Sequence, residues 1–137
     1  SSVKGKVLEV AVGTGLNLPL YPWAQVLDLK AIDLSPGMLR EAEGKLSLMG
    51  DQSKVELLQM DIKDLGFQDK TFDTVVDTFS LCVFDDPLRA LQEMRRVIKD
   101  NGQLLLLENS RSENGAVAAY QDLTAPFIAK TGGKGCM

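Results

Sequence analysis

Short apolar runs alternate along the chain with longer stretches in which apolar residues recur every three or four positions, to about residue 130. Runs of strand length fall at Val7 to Val10, Leu29 to Ile32, Val55 to Gln59, Phe72 to Phe79 and Gln103 to Glu108, the second interrupted by polar residues. Between them, the period predicts a helix from Pro36 to Leu48, with Met38, Leu39, Ala42, Leu46 and Met49 on one stripe. Ser35 is placed as its N-cap, Pro36 suits its first turn, and Gly50 ends it. A second helix, Pro87 to Lys99, presents Leu88, Leu91, Met94, Val97 and Ile98, and Asn101-Gly102 supplies a turn into the fifth strand. Gly115 to Lys130 reads as a last helix. Strands alternating with helices predict an α/β domain: a doubly wound sheet of five mainly parallel strands with helices on both faces.

Composition narrows the partners. The 137 residues, 45% of them hydrophobic, fit one domain. Fifteen basic residues against 19 acidic ones leave a net charge of -4, so no overall positive field favours nucleic acid. Apolar runs such as Leu104 to Leu107 fall far short of the roughly 20 residues that span a bilayer. The two cysteines, Cys82 and Cys136, lack CxxC spacing, and no secretory signal precedes the first strand, which points to a reducing, intracellular and cytoplasmic setting, with membrane or organelle association left open. With no histidine in the chain, a Ser-His-Asp triad, an imidazole base and a histidine metal site are excluded, and no metal site is expected. The chain starts almost on its first strand and has little after the fifth, so it reads as a piece of a longer protein without a C-terminal hairpin. Leu104 to Leu107 would then lie on an unpaired edge, where a homodimer could form through the fifth strand.

The chemistry begins at Val7-Leu8-Glu9-Val10-Ala11-Val12-Gly13-Thr14-Gly15-Leu16-Asn17, an apolar strand running into a glycine turn. Small residues there let backbone approach a ligand closely, although a plain turn that needs φ > 0 would look the same. Asp33 ends the second strand roughly 20 residues on, where doubly wound folds place an acid for ribose hydroxyls; an N-cap or solvated aspartate is the alternative. Dinucleotide binding wants a third small residue, but that position is Leu18 counting from Gly13 and Leu16 counting from Ala11. Bulk there disfavours a buried pyrophosphate, and with it a nicotinamide-dependent oxidoreductase. No Gly-Lys-Ser/Thr follows, so a P-loop is excluded.

These residues resemble a family. Glu9-x-Ala11-x-Gly13-x-Gly15 is similar to the first motif of class I S-adenosylmethionine-dependent methyltransferases, with alanine for the first glycine. Ala11 makes φ > 0 improbable at that position. Ala31 to Leu39 resembles the second motif, Met60-Asp61-Ile62 the third, Phe72 to Phe79 the fourth, and Arg95 to Gly102 with Leu104 to Glu108 the last helix and fifth strand. The resemblance spans residues 3 to about 109 and implies a Rossmann-like sheet in the order 3-2-1-4-5. Gly15 to Pro22 and the Leu81-Cys82-Val83 region look most like phosphatidylethanolamine N-methyltransferases and the methyltransferase-like 7 group; ubiquinone and menaquinone C-methyltransferases share most of the motifs.

By resemblance, S-adenosylmethionine is the cofactor and the acceptor is a small molecule or lipid. Glu9, Ala11, Gly13, Thr14 and Gly15 would hold its methionine end, with Asn17 nearby. Asp33 would take the ribose hydroxyls, Leu34 and Met38 would pack on adenine, and Asp61 and the Ile62 amide would serve the base. Thr78 and Phe79 would line the methyl-bearing side. Met38 reads equally well as core and Asp61 as a turn aspartate. Cys82 among apolar neighbours reads as a buried small residue, Asp85-Asp86 as helix-capping charge, and Lys63 and Asp64 as surface. Orientation alone can supply on the order of 7–11 kcal/mol to an in-line transfer. A base is needed only for a protonated acceptor, with Glu108 and Asp77 the candidates; Glu108 reads equally well as structural. A catalytically silent module that binds S-adenosylmethionine or S-adenosylhomocysteine is the alternative function.

Overall fold

The computed structural model describes residues 3–50, 53–77, 84–109 and 117–119, the backbone alone for 107–109 and 117–119. Strand β1 (Gly5–Val10) leads through two short 3-10 turns, Leu18–Leu20 and Trp23–Gln25, into β2 (Val26–Asp33). Helix α1 (Pro36–Ser47), β3 (Val55–Gln59), β4 (Phe72–Asp77), α2 (Pro87–Val97), β5 (Ile98–Asn109) and β6 (Val117–Ala119) follow. The sheet order is β3-β2-β1-β4-β5-β6, parallel up to β5. This is the predicted Rossmann-like order of the first five strands.

The order follows from burial. β1 lies at the centre of the sheet with α1 on one face and α2 on the other, so Val7, Leu8, Glu9 and Val10 are all buried. Val7 joins Leu29, Ala31 and Val76 under Ala42 and Leu46 of α1. Leu8 and Val10 join Ile32 and Val75 under Met94 and Val97 of α2. Alternate side chains along each strand therefore feed two cores, one per helix.

β2 extends beyond its apolar run at both ends, and its polar Lys30 is held across the strand pair, where it meets Glu56 of β3 at 2.9 Å. Ser35 caps α1, accepting the Met38 amide at 3.2 Å, and Gly50 after the helix has φ +90. Asp86 caps α2 by accepting the Arg89 amide at 3.1 Å.

Four expectations change. The second helix stops at Val97, so Lys99 and the Asn101-Gly102 pair belong to an irregular start of β5, where Ile98 pairs with Phe72 and Gln103 with Thr74. Gly102 serves close approach, not a turn: a Cβ there would meet the Asp73 carbonyl oxygen at 2.8 Å. Leu88, expected on the buried stripe of α2, is 64% exposed, and Ala90 and Glu93 are buried instead. Residues 117–119, within the predicted final helix, form β6 antiparallel to β5 at Leu107 to Asn109. β5 is thus paired at its end, and the unpaired edge on which a dimer was expected is covered from Leu107 onward. The rest of Gly115 to Lys130 lies outside the described residues. Among the described residues no helix is long and apolar enough to cross a membrane.

Candidate functional site

The chain after β1 is bent by three left-handed residues, Ala11 at φ +53, Gly13 at +61 and Gly15 at +86. Ala11 thus adopts the conformation its Cβ was expected to resist. The bend is tied from both sides: Val12 donates to the Ile32 carbonyl at 2.9 Å, and Gly13 N–H donates to Asp33 Oδ2 at 2.8 Å. Asp33 Oδ1 accepts the Ser35 amide at 2.9 Å. One carboxylate at the end of β2 therefore fixes both the turn after β1 and the entry to α1. Gly15 is packed closely, since a Cβ there would lie 2.8 Å from Leu18 Cδ1 and 3.3 Å from Ala42 Cβ.

Beneath the turn lies Glu9, fully buried. The Tyr21 hydroxyl donates to its Oε1 at 2.6 Å and Asn17 Nδ2 donates to its Oε2 at 3.1 Å. Burial pushes Glu9 up to about 7 against the pull of these two donors, and burial also drives Tyr21 well above its ordinary value, helped by the adjacent Glu9 charge. Trp23 Nε1 donates to the Leu18 carbonyl at 2.9 Å, and the Tyr21 and Trp23 rings meet edge to face at 5.7 Å. This segment folds as 3-10 turns of three residues each, so the turn after β1 leads into no α-helix whose N-terminus could take a pyrophosphate there.

A crevice of about 490 Å³ opens at the carboxyl ends of the strands. Five predicted residues line it: Ala11, Asp33, Leu34, Asp61 and Ile62. Five further residues on its wall were not predicted as site residues: Ile32, Met60, Lys63, Phe84 and Asp85. Ile32 and Met60 sit beside motif acids, where a period-two strand pattern signals core and not wall. Phe84 carried no distinguishing signal. Lys63 and Asp85 were read as surface and capping charge; they pair at 2.9 Å, which holds Asp85 below the usual carboxylate range and raises Lys63.

The other predicted residues stand elsewhere. Gly13, Thr14 and Gly15 in the turn and Asn17 just after it are not part of the crevice wall, and Glu9 is in the core behind it. Met38 is 43% exposed on α1 and does not line the crevice. Asp77 is fully buried at the end of β4, in register with Val10 and Leu106. Glu108 lies on the described backbone of β5, while its side chain, Thr78, Phe79 and Cys82 fall outside the described residues. Asp61 combines both of its readings, because its Oδ1 accepts the Lys63 amide at 2.9 Å while the residue also forms crevice wall.

The acceptors and apolar wall suit a nucleoside. Each oxygen of Asp33 accepts one amide and keeps a second lone pair. Asp61 likewise retains acceptor capacity, and Ile32, Leu34, Ile62 and Phe84 offer apolar surface to a flat ring. Three carboxylates against one lysine on the wall disfavour a phosphorylated ligand.

Comparison with known proteins agrees. Residues 8–106 match the family model described as a methyltransferase domain. Phosphatidylethanolamine N-methyltransferase of Cereibacter sphaeroides is 42% identical over 123 residues, covering 90% of this chain and 60% of that protein. Demethylmenaquinone methyltransferase of Bacillus subtilis is 38% identical, covering 91% of this chain and 56% of its own. The chain thus spans little more than half the length of these relatives. The crystal structure of a SAM-dependent methyltransferase from Aquifex aeolicus superposes with a TM-score of 0.67 at 29% identity, over 79% of this chain and 58% of that one.

Proposed function

The chain belongs to the methyltransferase domain family, and from that premise we propose that it is the cofactor-binding core of an enzyme that methylates a small-molecule or lipid-like acceptor with S-adenosylmethionine. The observation that carries this reading is Asp33, fixed by the Gly13 and Ser35 amides at the crevice wall with acceptor capacity to spare. When bound, S-adenosylmethionine supplies a methyl group already activated on sulfonium sulfur.

The residues then have little to do beyond binding and orienting. Asp33 accepts the ribose hydroxyls, Asp61 accepts an amino group of the base, and Leu34 and Ile62 pack on the ring. The left-handed turn from Ala11 to Gly15 presents backbone to the methionine end, held from below by Glu9 through Asn17 and Tyr21. Asp77 at the end of β4 and Glu108 on β5 are the candidate bases for an acceptor that arrives protonated. Support for the acceptor class comes from the relatives, one named for a phospholipid headgroup and one for a quinone precursor.

The test is calorimetric titration with S-adenosylmethionine and S-adenosylhomocysteine, followed by transfer assays on phosphatidylethanolamine and demethylmenaquinone. Binding of both cofactor forms, lost in Asp33→Ala, is expected. Heat from neither would sink the proposal, and binding without transfer to any amine, lipid or quinol would favour a silent binding module.

A further inference from the structure

Glu9 is a buried acid whose partners are all uncharged. Its oxygens are taken by the Asn17 amide and the Tyr21 hydroxyl. Across the sheet its neighbours are Ala31 of β2 and Val76 of β4, both buried and apolar, and α1 covers that face with Ala42 and Leu46. Asp77 follows Val76 on β4 and so points to the opposite face. Asp33 is engaged by backbone amides, and Tyr21 stays protonated far above neutral pH. Among the described residues no Lys or Arg forms an ion pair with Glu9.

A buried carboxylate with no counter-ion is costly to ionise, and burial pushes Glu9 up to about 7. Beside it, Asn17 Oδ1 is also buried and has no hydrogen-bond donor among the described residues, which adds negative potential at the same place. The compensating charge need not come from the protein. Ala11, two residues beyond Glu9, is crevice wall, and two residues of chain span at most about 7 Å. A positive charge held at that wall therefore lies on the order of 10 Å from Glu9, with protein between them and little screening.

We infer that Glu9 is a specificity-determining residue that senses ligand charge, favouring S-adenosylmethionine, with its sulfonium, over S-adenosylhomocysteine, which shares its ammonium and carboxylate but has a neutral thioether sulfur, and releasing its proton to solvent as the former binds. This rests on the crevice being the cofactor site. When the sulfonium becomes the thioether, Glu9 regains its proton near its midpoint, so the extra affinity that its ionised form gives the methyl donor is not passed on to the product. Asn17 and Tyr21 are positioning residues in this scheme, because they hold the carboxylate under the turn.

Titration calorimetry of the full chain with each ligand, in two buffers of different ionisation enthalpy at about pH 6, 7 and 8, reads the proton directly. S-adenosylmethionine should release on the order of 0.3–0.5 proton more than S-adenosylhomocysteine near pH 7, because the ammonium is common to both and only the sulfonium differs. The preference for the sulfonium form should rise about tenfold from about pH 6 to 8. Tyr21→Phe removes a donor that favours the carboxylate and should move the midpoint of that rise to higher pH. Glu9→Gln should abolish both the proton release and the pH dependence; if it does not fold, the wild-type comparison and Tyr21→Phe decide. Equal proton release for the two ligands, or a preference flat with pH, overturns the inference while leaving the cofactor site intact. Heat from neither ligand overturns the site, and the inference with it.

Discussion

Asp33 accepts the Gly13 amide at 2.8 Å, a bond that joins the end of β2 to the turn after β1 across 20 residues of sequence. The same carboxylate accepts the Ser35 amide, so it shapes the crevice even before a ligand arrives. Asp33→Ala is expected to lose two hydrogen bonds to a charged acceptor, about 1.5–3 kcal/mol of stability for each bond at most. Ligand affinity should fall further than that stability loss alone would cause. Asp33→Asn keeps one acceptor oxygen but turns an NH₂ toward a backbone N–H, so it should recover only part of the stability. Chemical denaturation and cofactor titration of the two variants check this.

Ala11 at φ +53 carries strain that a glycine would not. The left-handed conformation costs an L-residue roughly 1–2 kcal/mol, while glycine loses more chain entropy on folding, roughly 0.5–1 kcal/mol. Ala11→Gly should therefore leave stability unchanged or raise it by up to about 1 kcal/mol, where an Ala to Gly change in a regular strand would lower it. A fall of more than about 1 kcal/mol in the urea midpoint analysis would show that the Cβ of Ala11 contributes packing to the crevice wall.

Much of this was legible in the sequence because it is periodic or local. The five parallel strands and two helices follow from apolar spacing, and Ser35 and Gly50 mark the ends of α1 by their own backbone chemistry. The glycine turn, Asp33 and Asp61 were readable as motif residues, and all three sit at the carboxyl ends of strands. What escaped depends on contacts distant in sequence. Phe84 and Asp85 join the crevice only because α2 packs against the sheet beside the 60–63 loop. The left-handed Ala11 is dictated by bonds to β2 that its own side chain opposes. The Tyr21 to Glu9 bond spans a segment with no regular period, and nothing in the spacing of Tyr21 set it apart.

Gly102 tests the start of β5. A Cβ there would lie 2.7 Å from Ile98 Cγ2, 2.8 Å from the Asp73 carbonyl oxygen and 3.1 Å from that of Phe72. Two of these atoms are backbone of the neighbouring strand and cannot yield without shifting β4. Gly102→Ala is expected to cost about 1–3 kcal/mol by overpacking, although φ at this residue is unremarkable. Asn101→Ala, next to it and exposed, should be near neutral in the same thermal melts.

Arg96 holds the 65–69 loop to α2. Its guanidinium donates to the carbonyls of Leu65 and Phe67 at 2.9 Å each and to Asp69 at 2.8 Å, while Nε reaches Glu93 Oε2 at 2.9 Å. Glu93 is buried and also accepts the Leu65 amide at 2.8 Å. Arg96→Ala should cost about 3 kcal/mol, because it strands a buried carboxylate. Arg96→Lys should recover only part, since an ammonium cannot fork to four acceptors. The hydrogen bond from Arg96 holds Glu93 below the usual range, so this contribution is present above its unfolded value and is lost as pH falls through the folded one. Denaturation of wild type and Arg96→Ala should converge in acid.

Glu9 has the opposite pH signature. Its folded value, raised by burial from 4.5 to about 7, means that the folded state binds this proton more tightly than the unfolded chain. Stability from this group is complete below pH 4.5 and is lost as pH rises through about 7. A difference of that size corresponds to about 3 kcal/mol. Glu9→Gln cannot titrate, and its side-chain oxygen can still accept from Tyr21 or Asn17. The gap in unfolding free energy between Glu9→Gln and wild type should therefore widen in the variant's favour from about pH 5 to 8. Subtracting the two curves cancels the opposing acid sensitivity of Glu93 and Asp73, which stay common to both proteins. A gap that does not change with pH would mean that Glu9 ionises in the fold as easily as in water, and would remove the basis for its sensing a ligand's charge.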